Sequence, residues 1–551
     1  MSVTMIDPVH PTPQAEQAWD RALDEALARP KRRTVAQPLV KTVAKFAPRF
    51  ATVLAALLLS ACAAPAFHQP SVATPAAFKE ALVAPAASPE AVRSAADGST
   101  WKIAQPAEAQ PRGEWWKAFK DSRLDSLIAQ ATASNQNLSV AAARVKQARA
   151  IAGIAEADRV PQVGVGVGAQ RARLSPLEAN VAPGTAIAPA TSYRASLSAS
   201  YELDLFGRVS SNVAAARGDA LATEATFRSV LLSLQADVAQ TYFRLRALDA
   251  EIATVNQTVR LREESVRVTG RRFELGDIGE FDLSRAKTEL STARAEAIGL
   301  QRQRATAEHA LAVLLGQPAS NFGTVSDPLE ATVSLPLIPA GLPSSLLERR
   351  PDIAGAQRAM EAANARIGVA RSAMFPALSI GADGGGVAGT FGDVFKWSSR
   401  SWLLGATLAM PLIDGGRNRS NVVRSEAALE EAVGSYRQSV LVAFAEVEDK
   451  LAGLRVLAGQ GAEIEQALAA ARRSADLAQK LYDAGRSGYL ELLDAQRNLE
   501  AVERSAVQLR GDRAITTVAL IRALGGGWDA APGAAPAPAP TAAVALALAS
   551  K

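Results

Sequence analysis

The chain has 551 residues, 48% apolar but only 5% aromatic, a mix that suits long, closely packed helices better than a bulky globular core. A net charge of +5 comes from Lys/Arg and Asp/Glu interspersed along the sequence, with no basic block interleaved with aromatics, which argues against nucleic acid as a partner. One cysteine and three scattered histidines, His10, His68 and His309, leave no thiolate or histidine metal set, and no phosphate-loop, HExxH or CxxC pattern is present.

Residues 1–45 form a mostly polar extension of unclear status; a misassigned start and an unusually long leader both fit. Residues 46–62 read as a signal peptide. Lys41, Lys45 and Arg49 precede an apolar run from Phe50 to Leu59, too short to span a bilayer. LSAC at 59–62 resembles a bacterial lipobox, in which the cysteine carries lipid and becomes the mature N-terminus. The plainer alternative is an ordinary leader followed by an incidental Cys62. No cofactor is expected beyond this covalent lipid. Residues 63–100 are rich in Ala and Pro, as in an extended tether.

Residues 101–317 form a first structural unit. Trp115 and Trp116 precede its first helix and suit packing more than membrane anchoring. A helix over 135–160 is stopped by Pro161. Two strands follow. In QVGVGVGAQ, Val163, Val165 and Val167 alternate with glycines; in YRASLSASYELD (193–204), Tyr193, Ala195, Leu197, Ala199, Tyr201 and Leu203 alternate with polar residues. From LFGR at 205–208 onward no proline occurs until Pro318. Apolar residues step by three or four from Phe227 to Val259, which predicts a helix of about 60 residues and about 90 Å. FELGDIGEFDL (273–283) breaks it into a hairpin tip.

After a linker at 318–343, residues 344–528 repeat the plan. The block at 350–377 matches 135–162 at an offset of 215, with Pro376 opposite Pro161. LSIGAD (378–383) and WLLGATLAM (402–410) are the paired strands. GADGGG at 381–386 lacks dinucleotide-binding spacing and reads as a strand end and loop. PLIDGGR (411–417) leads into the second long helix, and YDAGRSGYLEL (482–492) is the second tip, 209 positions after the first. Across 273–316 and 482–525 the identities include Gly276/Gly485, Gly279/Gly488, Leu283/Leu492, Ala286/Ala495, Leu300/Leu509 and Leu311/Leu520. Positions 283, 290, 297, 304 and 311 are each seven apart, and 279, 286 and 300 lie on a second register three residues on. These are the two seam positions of a heptad, so the helices pack side by side as in a coiled coil. Arg304, repeated as Arg513, is out of place on such a seam. Residues 529–551 are a low-complexity tail.

Strands with one apolar and one Gly/Ser-rich face suit a membrane barrel, although a soluble sandwich uses the same alternation. Four strands cannot close in lipid, because open edges leave backbone groups unsatisfied. Two copies give a filled barrel, and three give twelve strands around water.

In its twofold helix–strand plan, in LFGR, PLIDGGR and both tips, the chain resembles a TolC-like outer membrane factor of the NodT/OprM-type lipoprotein branch. The resemblance covers about 101–528. It implies a mainly α fold with membrane β structure: a homotrimeric, twelve-stranded outer-membrane β-barrel continued by a periplasmic α-helical barrel, lipid-anchored at Cys62. It implies a non-enzymatic, passive efflux duct for drugs or other small toxic solutes, in multidrug resistance. Its partners would be a periplasmic adaptor (membrane fusion) protein and an inner-membrane transporter of RND type. It maps a gate onto Glu491, Asp494 and Tyr482, with Ser487 where a gating arginine is expected, and adaptor contacts onto the tips at Gly276, Gly279, Gly485 and Gly488. Those glycines suit tight turning of the backbone. The two carboxylates read equally as ordinary solvated charges. A type I protein secretion duct and a pore-free trimeric periplasmic scaffold are the alternatives, and the second has no use for an outward apolar band.

Overall fold

A computed structural model describes residues 66–80 and 113–526, except 73, 76, 183, 331–334, 337, 339–342 and 344–345, and the backbone at 93–94 and 100–101. Residues 1–45, the leader with Cys62 and the tail at 529–551 lie outside these residues.

Each half runs helix, strand, strand, long helix, tip, long helix, as the repeat predicts. The first half has α1 (Ser122–Ser134), α2 (Gln136–Ala157), β1 (Gln162–Ala172), β2 (Ala190–Leu203), α3 (Arg208–Glu274) and α4 (Glu280–Leu314). The second has α5 (Pro351–Ser372), β3 (Ala377–Ala388), β4 (Arg400–Ala409), α6 (Arg417–Asp483) and α7 (Tyr489–Ala523). α3 and α6 are each 67 residues long, about 100 Å at 1.5 Å per residue. α1 has no long counterpart in the second half and was not expected. Its signals are the Asp121 N-cap, accepting from the Arg123 and Leu124 amides, and the buried stripe Leu124, Leu127, Ile128 and Ala131.

α3 packs against α2 and α5 near the sheet and against α4 and α7 further away; α6 flanks α5 and α7 in the same way. Two helical columns are therefore continuous, and two are built from helices meeting end to end. At one joint Asn135 caps α2, accepting from the Leu138 amide, while its Nδ2 donates to the Leu314 carbonyl at the end of α4, 2.9 Å away. At the other, Arg350 donates to the Ala523 carbonyl at the end of α7 (3.1 Å) and pairs with Asp352 and Glu446. Each joint satisfies carbonyls that a helix end leaves open, and it sets a negative helix terminus against a positive one.

The four strands form one antiparallel sheet in the order β1-β2-β3-β4. Its register sorts the side chains. Val165 pairs with Leu197, Leu197 with Gly384, and Gly384 with Trp402. The neighbouring rows place Val163, Val167, Ala199, Ile380, Leu404 and Leu408 on the same face. The opposite face carries Ser196, Ser198, Ser200, Gln162, Gln170 and an Arg194–Asp383 ion pair at 2.5 Å. The apolar face is bare: Val165 is 78% and Trp402 83% exposed. Among the described residues, one edge of β1 and one of β4 have no partner strand. GADGGG is not a loop, since β3 runs on through Ala388. Its glycines serve close approach instead: a Cβ at Gly385 would lie 2.1 Å from the Ala195 carbonyl oxygen, and one at Gly386 1.9 Å from that of Val394.

The main core lies midway along the helices. Trp115, Trp116 and Phe119 are buried there with Phe243, Leu311 and Val518, in line with the packing role expected of the tryptophans. The out-of-place arginine is also explained. Arg304 pairs with buried Asp249 (2.6 Å) and with Glu308 (3.1 Å), and it donates to the Thr324 carbonyl (3.0 Å) in the linker that crosses the helices. Among the described residues Arg513 has no such set; the position 209 after Asp249 is Ala458 and that after Glu308 is Thr517. Residues 78–80, expected as part of a tether, are seated on the helices. Phe78 is buried beside Tyr436, Val440 and Phe444. The Lys79 and Glu80 amides donate to Glu448 (2.8 and 3.0 Å), and Arg455 pairs with Glu80.

Arg304→Leu leaves the buried Asp249 carboxylate without its cation and should cost about 3 kcal/mol, and Asp249→Leu/Arg304→Leu should recover part of it. Thermal unfolding followed by helical circular dichroism checks both.

Candidate functional site

The two hairpin tips sit at the ends of α3 and α6 farthest from the sheet, because the strands join these helices at their other ends. Both tips close in the same way. Gly276 (φ 75°) and Gly485 (φ 68°) hold left-handed backbone. Their amides donate to Phe273 and Tyr482, and those of Asp277 and Arg486 to Arg272 and Leu481, at 2.8–2.9 Å. This Schellman closure needs a residue that tolerates positive φ. Gly279 and Gly488 do not share that role. They are the N-caps of α4 and α7 with φ −79° and −78°, a conformation open to any residue. At Gly488 the missing Cβ leaves room for Glu491 instead: a Cβ there would lie 2.8 Å from Glu491 Oε2.

Glu491 and Asp494 are both exposed on the first turns of α7, one turn apart on one helix face. Arg497, the next turn on, is held by Glu289 of α4 at 3.0 Å. Behind this surface Tyr489 and Leu493 are buried against Ala286. The Tyr489 hydroxyl accepts from Ser265 (2.9 Å), and Arg262, only 2% exposed, donates to Gln496 (2.7 Å). So the carboxylates are presented on a firm base, not on a loop.

Tyr482 lies at the join between the hairpins. Arg272 of the first tip donates to its hydroxyl at 3.0 Å and lies over its ring, 5.7 Å from the centroid. The same guanidinium binds Asp277 at 2.6 Å; hydrogen bonds to Asp277 and Tyr482 hold Arg272 firmly protonated. Sequence reasoning noted Ser487 where a gating arginine is expected and missed the Arg272–Tyr482 contact, whose arginine comes from the first tip 210 positions away. Ser487 Oγ is buried with no hydrogen-bond partner among the described residues, and Arg486 is exposed. Among the described residues no set of acidic, His or Cys side chains is grouped to hold a metal ion.

Residues 127–317 and 342–526 match the family described as outer membrane efflux protein. The pyoverdine export outer membrane protein OpmQ of Pseudomonas putida is 35% identical over 429 residues, covering 78% of this chain and 91% of that protein. The cation efflux system protein CusC of Escherichia coli O6:H1 is 32% identical over 429 residues, 77% of this chain and 91% of its own. A solved structure of the outer-membrane channel OprN superposes with a TM-score of 0.74 at 27% identity, covering 85% of this chain and 99% of that one.

The two kinds of tip glycine should respond differently. Gly485→Ala forces a side chain into left-handed backbone at about 1 kcal/mol, so amide exchange at 481–487 should quicken about fivefold. Gly488→Ala needs only a swing of the Glu491 carboxylate and should leave exchange unchanged. Hydrogen–deuterium exchange with mass spectrometry distinguishes them.

Proposed function

The chain belongs to the outer membrane efflux protein family, an outer-membrane component of an efflux system, and we propose that three copies build one continuous passive duct. The observation that carries this reading is the sheet. It has one bare apolar face, one polar face and two unpaired edges. In lipid such edges must be paired. Three chains bring twelve strands, enough for a water-filled lumen with the Ser/Gln/Arg194–Asp383 face inward. Strand lengths of 10 to 14 residues suit a tilted span of a bilayer. The flanks of the helical layer support the same assembly: exposed Ile151, Ile154 and Ile298 on α2 and α4, and Val423, Leu441 and Val456 on α6, await apolar neighbours.

In this reading the helices form a twelve-column tunnel, and the tips are its inner end. Glu491 and Asp494, repeated three times, make a ring of six carboxylates at the neck. Crowded like charges favour bound cations over full ionisation in isolation. Arg272 on Tyr482 ties the second tip to the first within each chain and holds the neck narrow. The grooves around the tips receive a periplasmic adaptor that couples the duct to an inner-membrane pump of RND type, for drugs or other small toxic solutes. Cys62 carries the lipid that fixes each chain to the membrane.

Two measurements test this. Glu491→Ala/Asp494→Ala should weaken cation selectivity and block by multivalent cations in planar bilayers. It should cost little stability, since surface substitutions usually cost about 0.5 kcal/mol or less. Equal reversal potentials and equal block in both channels would remove the ring from the constriction. For the anchor, cells expressing Cys62→Ser should incorporate no radiolabelled palmitate into the protein. Undiminished labelling means the lipid is elsewhere.

A further inference from the structure

The sheet carries a feature that neither a smooth barrel wall nor the gate uses. All helices join the strands at one end, so the loops at 173–189 and 389–399 lie at the opposite end. The second of these does not extend freely. Val394 is buried, and its carbonyl oxygen sits where a Cβ on Gly386 would be, 1.9 Å away. Phe391 stands edge-on to Tyr193, with centroids 6.0 Å apart. Gly386 and Tyr193 belong to the apolar face, so the loop folds down over the outward side of the sheet.

Between loop and strands lies an open groove of about 540 Å³. Its walls include Val165, Leu197, Phe395 and Trp402, and glycines 384–386 contribute no side chains to fill it. Arg400 closes the end nearest the loop, with its guanidinium 3.8 Å from the Trp397 ring centroid. No ion pair is found for Arg400 among the described residues. Lys396, also on the loop, is taken up by Asp393 at 2.5 Å. The groove spans the sheet from β1 to β4, so pairing of the sheet edges in an assembly would leave it open.

We propose that this groove holds one acyl chain of a phosphorylated lipid of the outer leaflet, with the lipid phosphate on Arg400. The chemistry is matched end to end. An aliphatic and aromatic trough receives the chain, and a stacked guanidinium with no ion pair among the described residues receives the phosphate. Trp397 beside Arg400 suits the headgroup level, where amphipathic rings concentrate. The proposal rests on reading the sheet as membrane wall.

Native mass spectrometry of the full chain, purified in mild detergent, tests it with lipid A, phosphatidylglycerol and phosphatidylcholine as probes. The expected result is one lipid A retained per chain, with phosphatidylcholine bound at least tenfold more weakly. Arg400→Gln should lose that retention at least tenfold, and Arg400→Lys should restore part of it. Gly384→Val should also lose it: a Cβ there would meet only the Cβ of Trp402, at 4.0 Å, so the variant puts apolar bulk into the trough where the backbone leaves room to attach it. Retention unchanged in both Arg400→Gln and Gly384→Val, or equal retention of phosphatidylcholine, overturns the proposal while leaving the barrel intact. A protein that stays soluble without detergent and retains no lipid overturns the membrane reading itself.

Discussion

The helical wall depends on the two end-to-end joints. A chain whose first described helix lies midway along the helical layer, and which must run to the sheet, to a tip and back to the sheet, cannot cover four columns with unbroken helices. α3 and α6 manage it in one run each. The other columns must break where the chain enters or leaves, and every break exposes helix-terminal amides and carbonyls in a packed layer. Asn135 and Arg350 resolve this with different chemistry at equivalent places: an amide that caps one helix and donates to the next, and a guanidinium that donates to a carbonyl while neutralised by Asp352 and Glu446. The breaks also fix where the linker and the N-terminal segment can lie, since both run over the middle of the helices near these joints.

The repeat is faithful where geometry demands it and loose elsewhere. The turns at Gly276 and Gly485 and the helix lengths are copied. The charges are not. Arg304 has Asp249, Glu308 and the linker carbonyl of Thr324, whereas Arg513 faces Gly461, where a Cβ would come within 3.9 Å of its Nη1. The linker straps one hairpin through Asp249 and Arg304, and residues 78–80 strap the other through Glu448 and Arg455. Two hairpins that share a backbone plan are thus held by different contacts.

Periodicity made most of this architecture readable. Heptad spacing, proline stops and two fixed offsets specify helices to within a few residues, because helix packing repeats the same constraint many times. The strands were readable for the same reason, through their alternation. What escaped were single events between distant segments. α1 is short and was hidden by the search for a repeat. The run of glycines at 384–386 resembled a loop, since a strand glycine that admits a neighbouring backbone carries no local sign of that neighbour. The Arg272–Tyr482 contact joins residues 210 apart, and no pattern within either tip announces it. The proposed gate role of Glu491 and Asp494 comes from likeness to a family and not from their own chemistry.

The interface between the two hairpins changes character along its length, and this bears on how the tips can move. α3 and α7 come so close at one height that a Cβ on Gly511 would lie 2.6 Å from that of Ala247. On the side toward the sheet, Ala514, Val518 and Ile521 are buried in the main core. On the tip side polar contacts run along the seam, Arg504 and Gln508 to Glu251 at 2.9 and 3.0 Å, Arg262 to Gln496, Ser265 to Tyr489, and finally Arg272 to Tyr482, with one small apolar patch among them where Tyr489 and Leu493 meet Ala286. Polar contacts trade for water at a small net cost, on the order of 1 kcal/mol each, as long as water can reach both groups. Buried apolar surface has no such exchange. Separation therefore costs least at the outermost contact, Arg272 to Tyr482, more at buried Arg262 and the Tyr489–Leu493–Ala286 patch, and most on the sheet side of Gly511. A duct that opens at its inner end while remaining sealed at its middle requires that order of costs.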